Sequence, residues 1–189
     1  MPAERWTELL CHPAQRDRAV RRIAALARRA ASGVLAVDFR VEADLSRLRI
    51  PAPSAPRIAT RLWEHTCFET FVAMDEDPPY YEFNFAPSGE WAAFAFRSYR
   101  DGKPFTDGEL APSITLRTRE DRLELGATLR LGRLSPAHLR ASLRIGLSAV
   151  IEGDDGTLSY WALRHPAAKP DFHHAEAFAL RLEPPPEEC

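Results

Sequence analysis

Four stretches of the chain set aromatic rings beside polar and charged groups: residues 62–71 (LWEHTCFETF), 80–91 (YYEFNFAPSGEW), 96–100 (FRSYR) and 158–174 (LSYWALRHPAAKPDFHH). In the second, Tyr81, Phe83 and Phe85 alternate with Tyr80, Glu82 and Asn84, so a strand would carry the latter three on one face. On the following run, Phe94 and Phe96 contrast with Trp91, Arg97 and Tyr99. A sheet face with glutamate, asparagine, arginine and flat rings suits sugar binding. Planar polar groups take paired hydroxyls through bidentate hydrogen bonds, and rings cover the apolar C–H patches of a pyranose. The same residues also read as a solvated face laced by cross-strand Glu–Arg pairs, which stabilise little and recognise nothing. Periodicity alone leaves both readings open.

Other chemistries find weaker support. His165, His173 and His174 sit near Asp171, and His65 near Glu64 and Glu69, but no HExxH or comparable ligand spacing is present. Adjacent histidines in a strand would point to opposite faces, and a loop-capping histidine is the plainer reading. There is no GxSxG nucleophile elbow and no glycine-rich phosphate loop. Glu69 and Glu82 are a candidate acid–base pair of glycosidase type, at a separation that sequence does not give.

Composition narrows the classes further. The formal net charge of -2 argues against a dedicated nucleic-acid binder, which would carry a basic excess or stripe. Cys11, Cys67 and Cys189 are widely spaced and form no CxxC pair, so neither a zinc ribbon nor a disulfide framework is expected. No apolar run approaches membrane-spanning length, so no membrane partner is expected. The opening MPAERWTELLCHPAQRDR lacks the pattern of a signal peptide, and the expected location is cytoplasmic.

The elements that must position these residues read mostly as strands. Alternation recurs at Leu35–Val41, Leu123–Leu131, Leu143–Ile151 and Phe178–Leu182. Pro87-Ser88-Gly89 and Gly153-Asp154-Asp155-Gly156 look like hairpin turns between such runs. Many short strands at this spacing predict an all-β fold, an antiparallel β-sandwich of jelly-roll or immunoglobulin type. One domain is expected over 1–183, with its sandwich core at about 33–182 and an acidic, disordered tail at 184–189. Residues 14–31 are the exception. Val20, Ile23, Ala24 and Ala27 recur at helical spacing among alanines and arginines, so a short N-terminal helix is expected, with an alanine-rich edge strand as its rival.

Three stretches, LWEHTCFETFV, YYEFNFAPSGEWAAFAF and AVIEGDDGTLSYWALRHPAAKPDFHHAEAFAL, taken in this order, resemble the DOMON-like superfamily. The nearest likeness is to its branch akin to family 9 carbohydrate-binding modules, and within that to a group whose label links it to MurB, the peptidoglycan-precursor reductase. The resemblance covers roughly residues 33–182. It implies a jelly-roll-like sandwich and a non-catalytic module binding a carbohydrate or cell-wall precursor. Its partner would be a small-molecule or oligosaccharide ligand, with oligomeric state unspecified. The positions carried over as ligand-binding are Trp63, Glu69, Tyr81, Glu82, Asn84, Arg97 and Trp161. No cofactor is expected. Haem, which some such relatives hold through methionine and histidine or lysine, would need Met74 to face His173 or His174. Three alternatives stand beside the binding module: a small enzyme using Glu69, Glu82 or His173 as acid or base, a haem or metal carrier, and a structural or interaction domain.

Overall fold

The structure, a computed structural model, describes residues 5–15, 19–75 and 78–185. Residues 186–189 of the expected tail and 16–18 of the expected helix lie outside the described residues.

The described residues form twelve strands: β1 (Thr7–Cys11), β2 (Val20–Arg29), β3 (Val34–Ala43), β4 (Cys67–Met74), β5 (Tyr80–Phe85), β6 (Trp91–Ser98), β7 (Asp101–Pro104), β8 (Ser113–Arg119), β9 (Arg122–Arg130), β10 (Leu143–Glu152), β11 (Leu158–Ala162) and β12 (Leu180–Leu182). One sheet runs β1-β2-β3-β9-β8 and the other β7-β6-β5-β4-β10-β11, with β12 pairing the start of β10. Strand β1 joins them. Its Thr7–Leu9 pair with β2, while Leu10 and Cys11 pair with β11. Every pairing between named strands is antiparallel.

Alternation explains the sandwich. Leu35, Val37, Phe39 and Val41 of β3 and Leu123, Leu125, Ala127 and Leu129 of β9 meet Phe68 and Val72 of β4, Phe83 and Phe85 of β5, and Leu143, Ile145 and Leu147 of β10 in one core. Burying this apolar surface between two sheets is the main driving force of the fold. Both expected hairpins are present. Residues 86–90 connect β5 to β6 and residues 153–157 connect β10 to β11.

The expected helix is replaced by strand β2. Its residues are bonded on one side to β1 and on the other to β3 (Ala25↔Thr7 and Ala25↔Phe39). Ile23 and Ala25 are fully buried against the core. Alanine's helical preference is a few tenths of a kcal/mol per residue, about 0.5. Two ladders and a core face outweigh it. The difference is testable because helical spacing leaves Ala25 off the apolar stripe, whereas β2 points it inward. Ala25→Glu should lower the unfolding free energy by more than about 3 kcal/mol in urea titration, by burying an unpaired charge. A loss below about 0.5 kcal/mol would contradict the strand.

Candidate functional site

The second sheet has an outer face, away from the core, and the ladder registers fix what lies on it. Glu69 on β4 sits opposite Ser148 on β10 and Asn84 on β5. In the next row Phe71 lies between Gly146 and Glu82, and Glu82 faces Phe94 of β6. Beyond it Tyr80 pairs with Phe96. Glu69 and Glu82 are therefore diagonal neighbours on adjacent strands, an arrangement that separates residues by about 7–8 Å.

Part of this face is covered by the irregular segment after β11. Phe178 stacks on Phe71 with ring centroids 5.4 Å apart and stands edge-on to Tyr80 at 5.3 Å. This cover needs Gly146, where a Cβ would lie 2.9 Å from the Phe178 ring. Gly102 on β7 plays a similar part, since a Cβ there would lie 2.3 Å from the Phe96 ring. Phe96 thus lies over bare backbone and stacks on Tyr80 at 4.7 Å with the planes 5° apart.

What stays open is a cleft of about 380 Å³. Trp63, Phe94 and Phe96 form one aromatic side, with Trp63 edge-on to Phe94 at 5.8 Å. Tyr160 of β11 and Phe172 of the covering segment form another, with centroids 6.1 Å apart. Glu69, Glu82, Arg100 and His173 supply the polar lining, and Val150 and Pro170 complete it. Trp63 is presented by the short 3-10 turn Leu62–Glu64. Arg61, which starts that turn, and Arg100 are the two non-glycine residues with left-handed backbone among the described residues, at φ 60° and 55°. Arg100 lines the cleft, and Arg61 starts the turn that presents Trp63 to it; such locally unfavourable backbone tends to collect near sites.

The acids of the cleft are buried. Glu69 is 3% exposed and accepts one hydrogen bond, from the Ser148 hydroxyl at 3.3 Å. Burial, with the charge of Glu82 next, pushes its pKa well above the usual carboxylate range. Glu82 accepts a hydrogen bond from the Asn84 amide at 2.7 Å. Burial raises its pKa to about 7, against the lowering effects of Asn84 and Arg100. His173 places Nε2 3.5 Å from Glu82 Oε2 and Nδ1 2.9 Å from Tyr80 Oη. Tyr80 Oη also accepts the Arg100 backbone N–H at 3.1 Å, which leaves its own hydrogen for Nδ1. We therefore assign the His173 proton to Nε2, facing Glu82. Burial and the Arg100 charge hold His173 neutral, with a pKa lowered to about 4.

Arg100 also ties the covering segment down. Its Nη2 donates to Asp171 Oδ1 at 2.9 Å, and Tyr99 Oη donates to Asp171 Oδ2 at 2.8 Å. The hairpin joining β6 to β7 is thereby fastened to the residues just before Phe172 and His173.

Of the seven positions singled out in the sequence, Trp63, Glu69 and Glu82 line the cleft together, and Asn84 stands behind Glu82 as its hydrogen-bond donor. Tyr81 and Trp161 lie on the other face of the sheet. Tyr81 packs on Phe105 and His138, and Trp161 is core, its indole N–H bonded to Ser159 Oγ at 3.0 Å. Arg97 falls where the β6–β7 ladder shifts register, and its side chain is 85% exposed, paired with Asp101. The phase of β6 is opposite to expectation. Phe85 pairs with Trp91, which turns Trp91 into the core and brings Phe94 and Phe96 to the site. Phe94, Phe96, Arg100, Tyr160 and Phe172 were not singled out as ligand-binding. The Phe94/Phe96 alternation was the visible signal for two of them.

The haem arrangement does not fit. Met74 packs against the interior core, whereas His173 lies on the outer face of the same sheet, against Phe71 and Phe96. His174 Nδ1 accepts the Glu176 N–H at 3.2 Å, capping a turn. Among the described residues, no group of three or more His, Cys, Asp or Glu side chains is placed to hold a metal ion.

Comparison with known proteins gives likeness in structure alone. No protein-family model matches the sequence, and no curated protein does. A proposed carbohydrate-binding protein from Bacteroides uniformis is similar with a TM-score of 0.66 and 14% identity, over 90% of this chain and 82% of that one. A family 9 carbohydrate-binding module from Caldicellulosiruptor kristjanssonii, solved in complex with glucose, gives 0.54 and 8% identity over 93% of this chain and 78% of that one. The corresponding complex with cellotriose gives 0.53 and 8% over 93% and 76%. The shared fold is a family 9 module-like β-sandwich.

Proposed function

We propose that this chain is a sugar-binding module that holds a pyranose in the cleft, between the Trp63–Phe94–Phe96 side and the Tyr160–Phe172 side. The observation that carries this reading is the lining itself, aromatic rings on two sides of a space of about 380 Å³ with buried carboxyls among them. That size lies within the range of small-ligand pockets, about 300–1,000 Å³. Rings take the axial C–H faces of a sugar, and Glu69 and Glu82 accept from its hydroxyls. The similarity in fold to modules solved with glucose and cellotriose supports the same ligand class. The finer assignment, to the DOMON-like superfamily and its MurB-associated group, belongs to this proposal and rests on the three motif stretches. Titration calorimetry with glucose and cellotriose tests the reading, with saturable heat at one site per chain expected. Absence of heat with both sugars, and with a wider set of cell-wall monosaccharides, would count against it.

A second reading, acid–base chemistry on the bound sugar, is favoured by the pKa of Glu82, raised to about 7, beside Glu69, whose pKa burial also raises well above the carboxylate range. In glycoside hydrolysis, Glu69 would give its proton to the leaving oxygen. Glu82 would take one from the water that adds to the anomeric carbon. Nitrophenyl glycosides decide the matter, since equal release by the native chain and by Glu82→Gln removes this reading.

A further inference from the structure

We infer that the cleft prefers a sugar carrying a protonated amine over a neutral sugar and rejects acidic sugars. This deepens the sugar-binding reading and rests on it.

The cleft holds two acids with little to balance them. Glu69 and Glu82 are 3% and 6% exposed, both line the cleft, and neither donates to or accepts from the other among the described residues. Glu69 accepts a single hydrogen bond, at 3.3 Å, although a carboxylate has room for about four. It is a nearly unpartnered buried acceptor set on an open cleft. The basic side chain in the lining is Arg100, and its charge is already committed to Asp171 at 2.9 Å, making that pair neutral as a unit. His173 turns a neutral ring to Glu82 across 3.5 Å. The polar lining therefore lacks uncommitted positive charge.

The rest of the lining points the same way. Trp63, Phe94, Phe96, Tyr160 and Phe172 present rings whose faces carry negative quadrupole charge and attract cations. An ammonium brings three donors and no acceptor, the complement of two carboxyls with spare lone pairs. A sugar carboxylate brings acceptors alone and meets acceptors. A neutral hydroxyl lies between the two.

Charge also explains how two buried acids are tolerated side by side. The charged and titratable groups facing the two acids are Arg100, His173, Tyr80, Tyr160 and Cys67. None of them supplies a free cation at neutral pH. Burial accordingly keeps at least one of the acids protonated. An entering ammonium takes the place of that proton and releases it to solvent.

The test is calorimetry of the full chain at pH 7 and low salt, with glucosamine, glucose, N-acetylglucosamine and glucuronate. Glucosamine should bind about tenfold or more tightly than glucose. Its heat should change between phosphate and Tris buffers as released protons are taken up, and glucuronate should give no binding. Glucose or N-acetylglucosamine bound as tightly as glucosamine overturns the inference and leaves the sugar reading standing. Binding of glucuronate overturns it in the same way. Failure of all four to bind removes both.

Discussion

Replacing Trp63 by alanine is expected to weaken sugar binding by about thirty-fold or more, with little effect on folding. The ring is 39% exposed and touches the body of the protein through an edge-on contact with Phe94 at 5.8 Å. Its removal leaves no core cavity, so stability should change by less than about 1 kcal/mol. A tryptophan at the centre of a small contact surface contributes about 2 kcal/mol or more to binding, which is the stated fold-change. Phe172→Ala should act on the opposite side in the same sense, since Phe172 meets Tyr160 across that side of the cleft. Affinity by calorimetry and urea midpoints, measured on the same samples, separate the two effects. Unchanged affinity in both variants would place the ligand elsewhere.

The second large effect concerns stability and pH. Glu69→Gln should make the protein more stable at pH 8 by about 1–3 kcal/mol and leave it unchanged at pH 4. The sign follows from the direction of the shift. A carboxyl whose folded pKa is raised binds its proton more tightly when folded. Its stabilising share is complete below the unfolded value near 4.5 and is lost as pH rises through the folded value. Glu82 acts likewise between 4.5 and about 7, an effect of roughly 3 kcal/mol. His173 opposes it. A folded pKa lowered from 6.5 to about 4 gives stability that is present above 6.5 and lost as pH falls through 4. The two largely offset each other between about 4.5 and 6.5, leaving Glu69 to set the slope. Its amide variant keeps the shape and the bond from Ser148 while removing the titration. Urea unfolding at intervals from pH 4 to 8 should show two curves that meet at the acid end and diverge towards the alkaline end. Parallel curves would mean that Glu69 is not forced into a buried, proton-holding state.

Much of the fold was legible because two-residue periodicity maps directly onto a sheet with one buried face. Strands β3, β9 and β10 fall on the alternating runs, and both hairpins fall on the turn residues. Strand β2 was not legible. Helical spacing gathers Ile23, Ala24 and Ala27 on one face and extended spacing gathers Ile23, Ala25 and Ala27, so the alanines offer an apolar face to either, and only the ladders to β1 and β3 decide between them. The site was legible in part for a similar reason. Glu82 could be placed because the 80–85 run alternates clearly, whereas Glu69 lies on a strand buried on both faces and was singled out through the family resemblance. Phase was lost across the 86–90 turn, where one residue of register turns every side chain of β6 over. Trp91 consequently exchanges faces with Phe94 and Phe96. Phe172 and His173 reach the cleft along an irregular segment with no period to follow. Their position depends on a bond between Asp171 and Arg100, 71 residues apart in sequence.

The most direct measurement is an NMR titration of the isotopically labelled chain with glucose, followed through backbone amides, the Trp63 indole and the His173 ring. The perturbed signals should cluster at Trp63, Phe94, Phe96, Arg100, Phe172 and His173, with the core signals of Trp161 unmoved. Perturbations centred instead on the separate groove around His65 and Glu152, or none at saturating sugar, would contradict binding in the cleft.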